Sequence, residues 1–161
     1  MSEKEMFLQT WDREFQPTMK LLKAYPADKP EFKPHERSRS AKELAWTFVM
    51  EEQLIEQAIK GKIEMMGFPP APKTFTEVLN VYEKSHREMV EKVKNLPEAV
   101  LDKTIKFPVG PKQMGDVRCI NIFWMMVMDM VHHRGQLSVY VRMAGGKVPS
   151  IYGPSADEPW M

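Results

Sequence analysis

Apolar residues recur every three or four positions in four segments of the chain, which is the period of an α-helix with one buried face. The four predicted helices span residues 3–24, 41–60, 75–95 and 116–143. Ser40 with Glu43, and Thr74 with Glu77, have the spacing of a capping box, in which the first residue of each pair begins a helix. The pattern therefore predicts an all-α fold, a bundle of four long helices.

The connections between these helices are rich in proline. Residues 25–39 hold three prolines, and we expect them to run extended along the bundle, a length that permits a crossover connection. Residues 101–115 hold two prolines and two glycines and predict a loop with at most one short extended piece. Residues 147–161 predict an irregular C-terminal tail that packs on the domain surface, with Arg134 and Arg142 as tail or interface partners.

The last predicted helix, residues 116–143, is apolar on nearly every side. Such a helix is either central in the fold or covered by a second subunit. A homodimer is the simpler explanation, and we predict one. The same helix carries Met125, Met126, Met128 and Met130, which we expect to pack in the core as flexible apolar side chains.

Several polar residues fall inside the apolar stripes when each helix is plotted at about 100° per residue. Glu51 lies within the stripe of the second helix, whereas Glu52 falls on the opposite side. His86 lies within the stripe of the third helix, and Asp129 and His133 stand one turn apart in the fourth. We expect these side chains to face a polar pocket lined also by His132, Gln136, Tyr140 and Met125.

A buried carboxylate that has no partner is costly, so some group must neutralise this pocket. Asp129 and His133, four residues apart, can hold one ion or exchange one proton. Two interpretations stay open at this point. Either a divalent cation is bound, or Asp129 hydrogen-bonds to His133 or His132 and Glu51 pairs with His86 in a structural network without a ligand.

Composition narrows the classes of function. The 161 residues are 43% hydrophobic and 28% charged, which fits one globular domain over residues 1–161. The 23 Lys and Arg nearly cancel the 22 Asp and Glu, so no global field would recruit nucleic acid or a membrane. Cys119 is the only cysteine, and we find neither a targeting motif nor a transmembrane stretch. We therefore expect a cytoplasmic protein with no nucleic-acid or membrane partner.

Three stretches of the chain resemble the DinB superfamily of four-helix bundles, of the DinB/YfiT-like kind. They are PHERSRSAKELAWT from Pro34, YEKSHREMVEKVKNLPEAVLDK from Tyr82 and HHRGQLSVYVRMAGGKVPSIYGPSADEPW from His132. The resemblance implies an antiparallel four-helix bundle with a crossover connection, commonly a dimer, and a divalent metal held by three histidines. Relatives of known activity include metal-dependent transferases that act on low-molecular-weight thiols.

The chain departs from the family's pattern at two of those three histidines. Thr47 stands at the position of the helix-two histidine, Asp129 stands at the first position of the H-x-x-x-H pair, and only His133 matches. A carboxylate such as Asp129 is still an ordinary ligand for zinc or manganese, and Glu51 or His86 could complete the set. The resemblance thus implies a site for zinc, nickel or manganese with weaker affinity than a three-histidine site, with Thr47 at its edge.

Two functions are consistent with the family resemblance and with the two missing histidines. The first is a divalent-metal-dependent transferase or hydrolase that acts on a small molecule, such as a low-molecular-weight thiol, with Glu51 accepting the proton of the nucleophile. The alternative is a non-catalytic four-helix-bundle module, for binding or dimerisation, that has lost the metal. The two ligand departures favour the alternative, and the inward carboxylates favour the enzyme.

Overall fold

A computed structural model describes residues 1–64 and 66–161 of the chain. The elements in order are α1 Glu3–Ala24, α2 Ala41–Lys60, α3 Phe75–Lys94, the short helix α4 Glu98–Leu101, β1 Thr104–Gly110, β2 Gln113–Arg118 and α5 Cys119–Met143. The first three long helices match the predicted segments to within one residue. The last helix begins at Cys119 instead of at residue 116. The predicted bundle of four long helices is confirmed.

Both predicted capping boxes are formed. The Ser40 hydroxyl accepts from the backbone N–H of Glu43, whose carboxylate accepts from the Ser40 N–H, and Thr74 and Glu77 repeat the arrangement. Gly61 ends α2 at φ 81°, a left-handed conformation that costs glycine little. Local sequence signals therefore determine where these helices begin and end.

Each long helix packs mainly against two of the other three. Helices α1 and α2 are diagonal, and both pack against α3 and α5. Lys4, at the start of α1, binds the carbonyl of Leu96 just after α3, while Tyr25 packs on Phe75 at the other end, so α1 and α3 are antiparallel. Helices α2 and α5 are also antiparallel.

The crossover lies between α2 and α3. Glu52 faces His86 and Glu56 faces Lys92, so α2 and α3 run in the same direction and the chain between them must return along the bundle. Residues 25–40 instead stay at one end, where the Lys29 ammonium binds the carbonyl of Ala144 after α5. The prediction that residues 25–39 run along the bundle is therefore wrong, and the crossover lies in the next connection.

A β-hairpin replaces the loop predicted for residues 101–115, so that prediction is wrong. Strands β1 and β2 pair in antiparallel register, with Thr104 opposite Arg118. Ile105 and Phe107 alternate inward and are buried, and the pairing extends through Arg118, which delays the start of α5. A Cβ at Gly115 would lie 2.9 Å from Val109 Cγ1, so a larger residue there would have to displace the Val109 side chain.

The C-terminal tail is fixed to the bundle by charged and polar contacts. The Arg134 guanidinium is buried, lies 2.7 Å from the Glu14 carboxylate of α1 and also donates to the Tyr152 hydroxyl of the tail. Arg142 pairs with Asp157 at 2.7 Å. Both arginines are therefore tail partners, as expected from the sequence.

The methionines of α5 are divided between core and surface. Met126 and Met130 are buried, but Met125 is 38% exposed and Met128 is 70% exposed. The expectation that all four pack in the core is wrong for these two, because they lie on a partly solvent-exposed face of α5. In residues 1–64 and 66–161, we find no helix with both the length and the apolar character needed to cross a membrane.

Candidate metal centre

Helix α2 and helix α5 together bring three ligand-type side chains to one place. Glu51 projects from the middle of α2 toward α5 and is buried, at 2% exposure. On α5, Asp129 and His133 stand one helical turn apart and face back toward Glu51. The convergence of these three residues, predicted from the stripes of two helices, is therefore observed.

The distances within this group are short. Glu51 Oε1 lies 3.0 Å from His133 Nδ1, and Asp129 Oδ2 lies 3.7 Å from the same nitrogen. One ligand atom from each of the three residues falls within 4.8 Å of the others. The Asp129 side chain is 44% exposed, so the group is closed on the Glu51 side and open toward solvent on the other.

The electrostatics of the group favour neutral side chains. Burial, followed by the negative charges of Asp129 and Glu52, raises the pKa of Glu51 well above its usual range. Burial also lowers the pKa of His133; Asp129 opposes this shift, while the charges of Arg39 and His132 add to it. In the absence of a cation, both pKa shifts favour the uncharged forms of Glu51 and His133, whose side chains are in hydrogen-bonding contact.

The donor set of the group fits a divalent cation. Among the described residues, no partner lies within hydrogen-bonding distance of the buried Glu51 Oε2. Two carboxylates and one imidazole are ordinary ligands for zinc and manganese, and three protein ligands with one open position are the pattern of catalytic zinc sites. A cation would displace the Glu51 proton and offset the cost of burying its charge.

His86 lies in a different part of the bundle. Its Nδ1 is 3.2 Å from Glu52 Oε1, its Nε2 is 3.4 Å from Asp12 Oδ1, and its ring stacks on Phe15. The structure thus places His86 against Glu52, and the alternative Glu51–His86 pair is not formed. The interpretation of Glu52 as exposed is wrong, because this residue is fully buried.

Thr47 is buried but engaged within its own helix. Its hydroxyl donates to the Leu44 carbonyl at 2.6 Å. The residue lines a depression beside Trp46 and Phe68 and is not among the three residues whose ligand atoms converge. This arrangement gives Thr47 no role as a replacement for the histidine that the family resemblance implies.

Two clefts flank the candidate metal centre, and His132 contributes to both. The first, which we call the arginine cleft, has a volume of about 550 Å³ and is lined by Ser38, Arg39, Leu44, His132, His133, Gln136, Val139 and Tyr140. The second, the methionine cleft, has about 520 Å³ and is lined by Leu54, Phe107, Met125, Met126, Met128, Asp129 and His132. The predicted pocket residues of α5 therefore line two clefts instead of one.

Ser38 and Arg39, which were not predicted from the sequence, line the arginine cleft together with residues of α5. The available signal was their position directly before Ser40, since a helix cap fixes the residues that precede it. The Tyr140 hydroxyl also donates to the Arg39 carbonyl at 3.0 Å, which ties this segment to α5.

The chain is similar to known proteins along nearly its whole length. The profile of the DinB family matches residues 1–160. The uncharacterized protein YrdA of Bacillus subtilis (strain 168) is 24% identical over 154 residues, which are 94% of this chain and 89% of YrdA.

Two crystal structures share the fold. A DinB-like protein from Bacillus cereus ATCC 10987 is 24% identical, with a TM-score of 0.76 over 92% of this chain and 97% of that chain. The DinB-like protein YjoA from Bacillus subtilis is 20% identical, with a TM-score of 0.72 over 97% of this chain and 99% of that chain. These similarities support the four-helix fold.

Proposed function

Since this chain belongs to the DinB family, we propose that Glu51, Asp129 and His133 bind one divalent cation, zinc, nickel or manganese. We further propose that the protein is a metal-dependent transferase or hydrolase that acts on a small molecule, such as a low-molecular-weight thiol. The supporting observation is the convergence of three ligand atoms from two helices around a buried carboxylate.

The side chains have distinct roles in this proposal. A bound divalent cation lowers the pKa of a coordinated water or thiol and so supplies a nucleophile near neutral pH. Glu51 has a second carboxylate oxygen, Oε2, to which no described residue hydrogen-bonds, and this oxygen gives it the role of base as well as ligand. Asp129 lies at the open side of the group, which leaves room for a substrate beside the cation. His86 is not among the ligands, because it faces Glu52.

Calorimetric titration of chelator-treated protein with zinc, nickel and manganese tests the metal site. We expect one ion per chain for the wild type and at least about tenfold weaker binding for Glu51→Gln and His133→Ala. Glu56→Gln is the matched control, since it removes the same charge from α2 at a position that pairs with Lys60 and Lys92.

If the wild type binds none of the three ions near neutral pH, or if Glu51→Gln and His133→Ala bind as tightly as the wild type, the metal proposal is wrong. The non-catalytic binding or dimerisation module then takes its place.

An exposed apolar stripe on α5 supports a homodimer, whether the protein is a metal-dependent enzyme or a non-catalytic module. Met125, Met128, Val139 and Met143 are each at least 38% exposed. Their spacing puts them on one face of the helix, where a second copy of the chain could bury them. Light scattering should give a dimer for the wild type at micromolar concentration and a monomer for Val139→Glu. A wild-type monomer would contradict the homodimer.

A further inference from the structure

The arginine cleft differs from the methionine cleft in charge. Its lining, given above, contains the guanidinium of Arg39, two histidines, a side-chain amide and hydroxyl groups, and it contains no carboxylate among the described residues. The methionine cleft, in contrast, holds Asp129 and thioethers. A volume of about 550 Å³ is in the range that accommodates a small molecule.

Arg39 is free to bind an anion. Within the described part of the chain, no carboxylate lies within 4 Å of its guanidinium, whereas Arg118, Arg134 and Arg142 each pair with at least one. A guanidinium presents five donors in a planar fork that matches carboxylate and phosphate groups. The charge of Arg39 therefore lies beside a cleft whose lining has donors and no carboxylate, although Arg39 also lines the depression that contains Glu43.

The backbone of Arg39 is held in place even though its side chain is exposed. The Arg39 carbonyl accepts from the Tyr140 hydroxyl of α5, and the next residue, Ser40, is buried and caps α2. A fixed backbone reduces the conformational freedom that an arginine loses on binding a ligand. Arg39 is also close enough to His133 for its charge to oppose protonation of that ring.

We propose that the arginine cleft binds an anionic small molecule, with Arg39 holding its carboxylate or phosphate group and the remainder of the molecule directed toward His133. The anion site deepens the proposed function. It rests on that function in one respect, namely that the molecule bound in the arginine cleft is a substrate of the metal centre. Binding of the anion itself requires only the cleft and Arg39. The two proposals can therefore fail separately.

Chelator-treated protein titrated with inorganic phosphate and, separately, with succinate tests the anion site. Affinity is measured by calorimetry, and the position of binding by amide NMR shifts at Ser38 and at the side-chain amide of Gln136. We expect both reporters to shift in the wild type and the affinity of the preferred probe to fall about tenfold or more in Arg39→Gln. Arg39→Lys should retain part of the affinity, since it keeps the charge and loses the planar fork.

Arg37→Gln is the matched control. It removes the same charge from the same segment, and Arg37 is exposed and outside both clefts. The preference between phosphate and succinate identifies the anion class. The proposal is overturned if neither probe binds, if Arg39→Gln binds as tightly as the wild type, or if Arg37→Gln loses as much affinity as Arg39→Gln.

A metal titration of Arg39→Gln separates this site from the metal centre. We expect the variant to bind a divalent cation as the wild type does, because Arg39 is not a ligand. Loss of anion binding with retained metal binding supports the assignment of Arg39. Loss of both would overturn it, because the substitution would then have damaged the bundle instead of the cleft. Should the wild type bind the anion and no metal, only the metal proposal fails.

Discussion

Glu51 and Glu52 are adjacent in the sequence, and both are buried in the bundle, yet they belong to two different polar sites. Glu51 faces His133 of α5, and Glu52 faces His86 of α3. Each has one carboxylate oxygen for which the described residues provide no hydrogen-bond partner. The two sites are therefore alike in burial and in the type of residue that they contain.

They differ in what surrounds the carboxylate. Glu52 Oε1 accepts from the Trp11 indole at 3.2 Å and lies 3.2 Å from His86, whose ring stacks on Phe15 with centroids 3.8 Å apart. Aromatic side chains thus enclose this site. Glu51 has a second carboxylate beside it, Asp129, and two clefts open next to the group.

The balance of charge shows which site could use a cation. Burial raises the pKa of both carboxyl groups, but the contacts of Glu52 with His86 and Trp11 lower its pKa again. The charges next to Glu51, those of Asp129 and Glu52, raise its pKa further. The Glu52 site contains hydrogen-bond donors for its own carboxylate. The Glu51 site instead brings two carboxyl groups together, and a divalent cation would offset their negative charge.

The largest expected effect comes from breaking the Glu52 site. His86→Ala should lower the free energy of unfolding by about 3 kcal/mol, because it leaves a cavity and removes the partner of a buried carboxylate. Metal affinity should not change. Urea unfolding and metal titration measure the two effects, with exposed Glu83→Ala as the control on α3. A loss of metal affinity without a loss of stability would put His86 among the ligands and remove the distinction between the sites.

A smaller effect, of opposite sign, is expected at the other site. Glu51→Gln should raise the stability of the metal-free protein by about 1 to 2 kcal/mol at pH 7 to 8, because it removes a carboxyl group that is costly to ionise in a buried position. Denaturant unfolding of chelator-treated protein measures the change. A loss of stability in this variant would mean that Glu51 contributes to the fold, as His86 does.

The pH dependence of the difference in stability between wild type and Glu51→Gln follows from the raised pKa of Glu51. The folded protein holds a proton that the unfolded chain releases near the usual value of 4.5, so the stabilising contribution of this group is complete below that pH. It is lost as the pH rises through the folded pKa, at up to about 1.4 kcal/mol per pH unit. Unfolding curves of wild type and Glu51→Gln across this range should diverge with rising pH; parallel curves would contradict the shift.

The smallest effect is expected at His132, which follows Asp129 by three residues and precedes His133. Its Nε2 bonds to the Gln136 side chain at 2.8 Å, and the residue is exposed. His132→Ala should change stability by less than about 0.5 kcal/mol and metal affinity by less than about threefold. The measurement is metal titration beside His133→Ala. Equal losses in the two variants would show that the ligand set includes His132.

The sequence alone was sufficient for the features that depend on neighbouring residues. Helix periods and capping boxes located α1, α2 and α3, because these signals act within one or two turns. The inward direction of Glu51, Asp129 and His133 followed from the same periodicity. Their convergence needed one further condition, that α2 and α5 pack against each other.

The tertiary structure decided the features that depend on which elements meet. The hairpin of β1 and β2 forms through pairing across the turn. Pro108 and Gly115 interrupt the alternation of apolar and polar residues by which a strand is recognised in the sequence. Glu52 is buried because α2 packs against α3 as well as α5, and successive side chains on a helix turn by about 100°. Glu51 and Glu52 thus face different helices. A helical period that is interpreted as one buried face cannot show whether the opposite face is covered by a second helix or exposed to solvent.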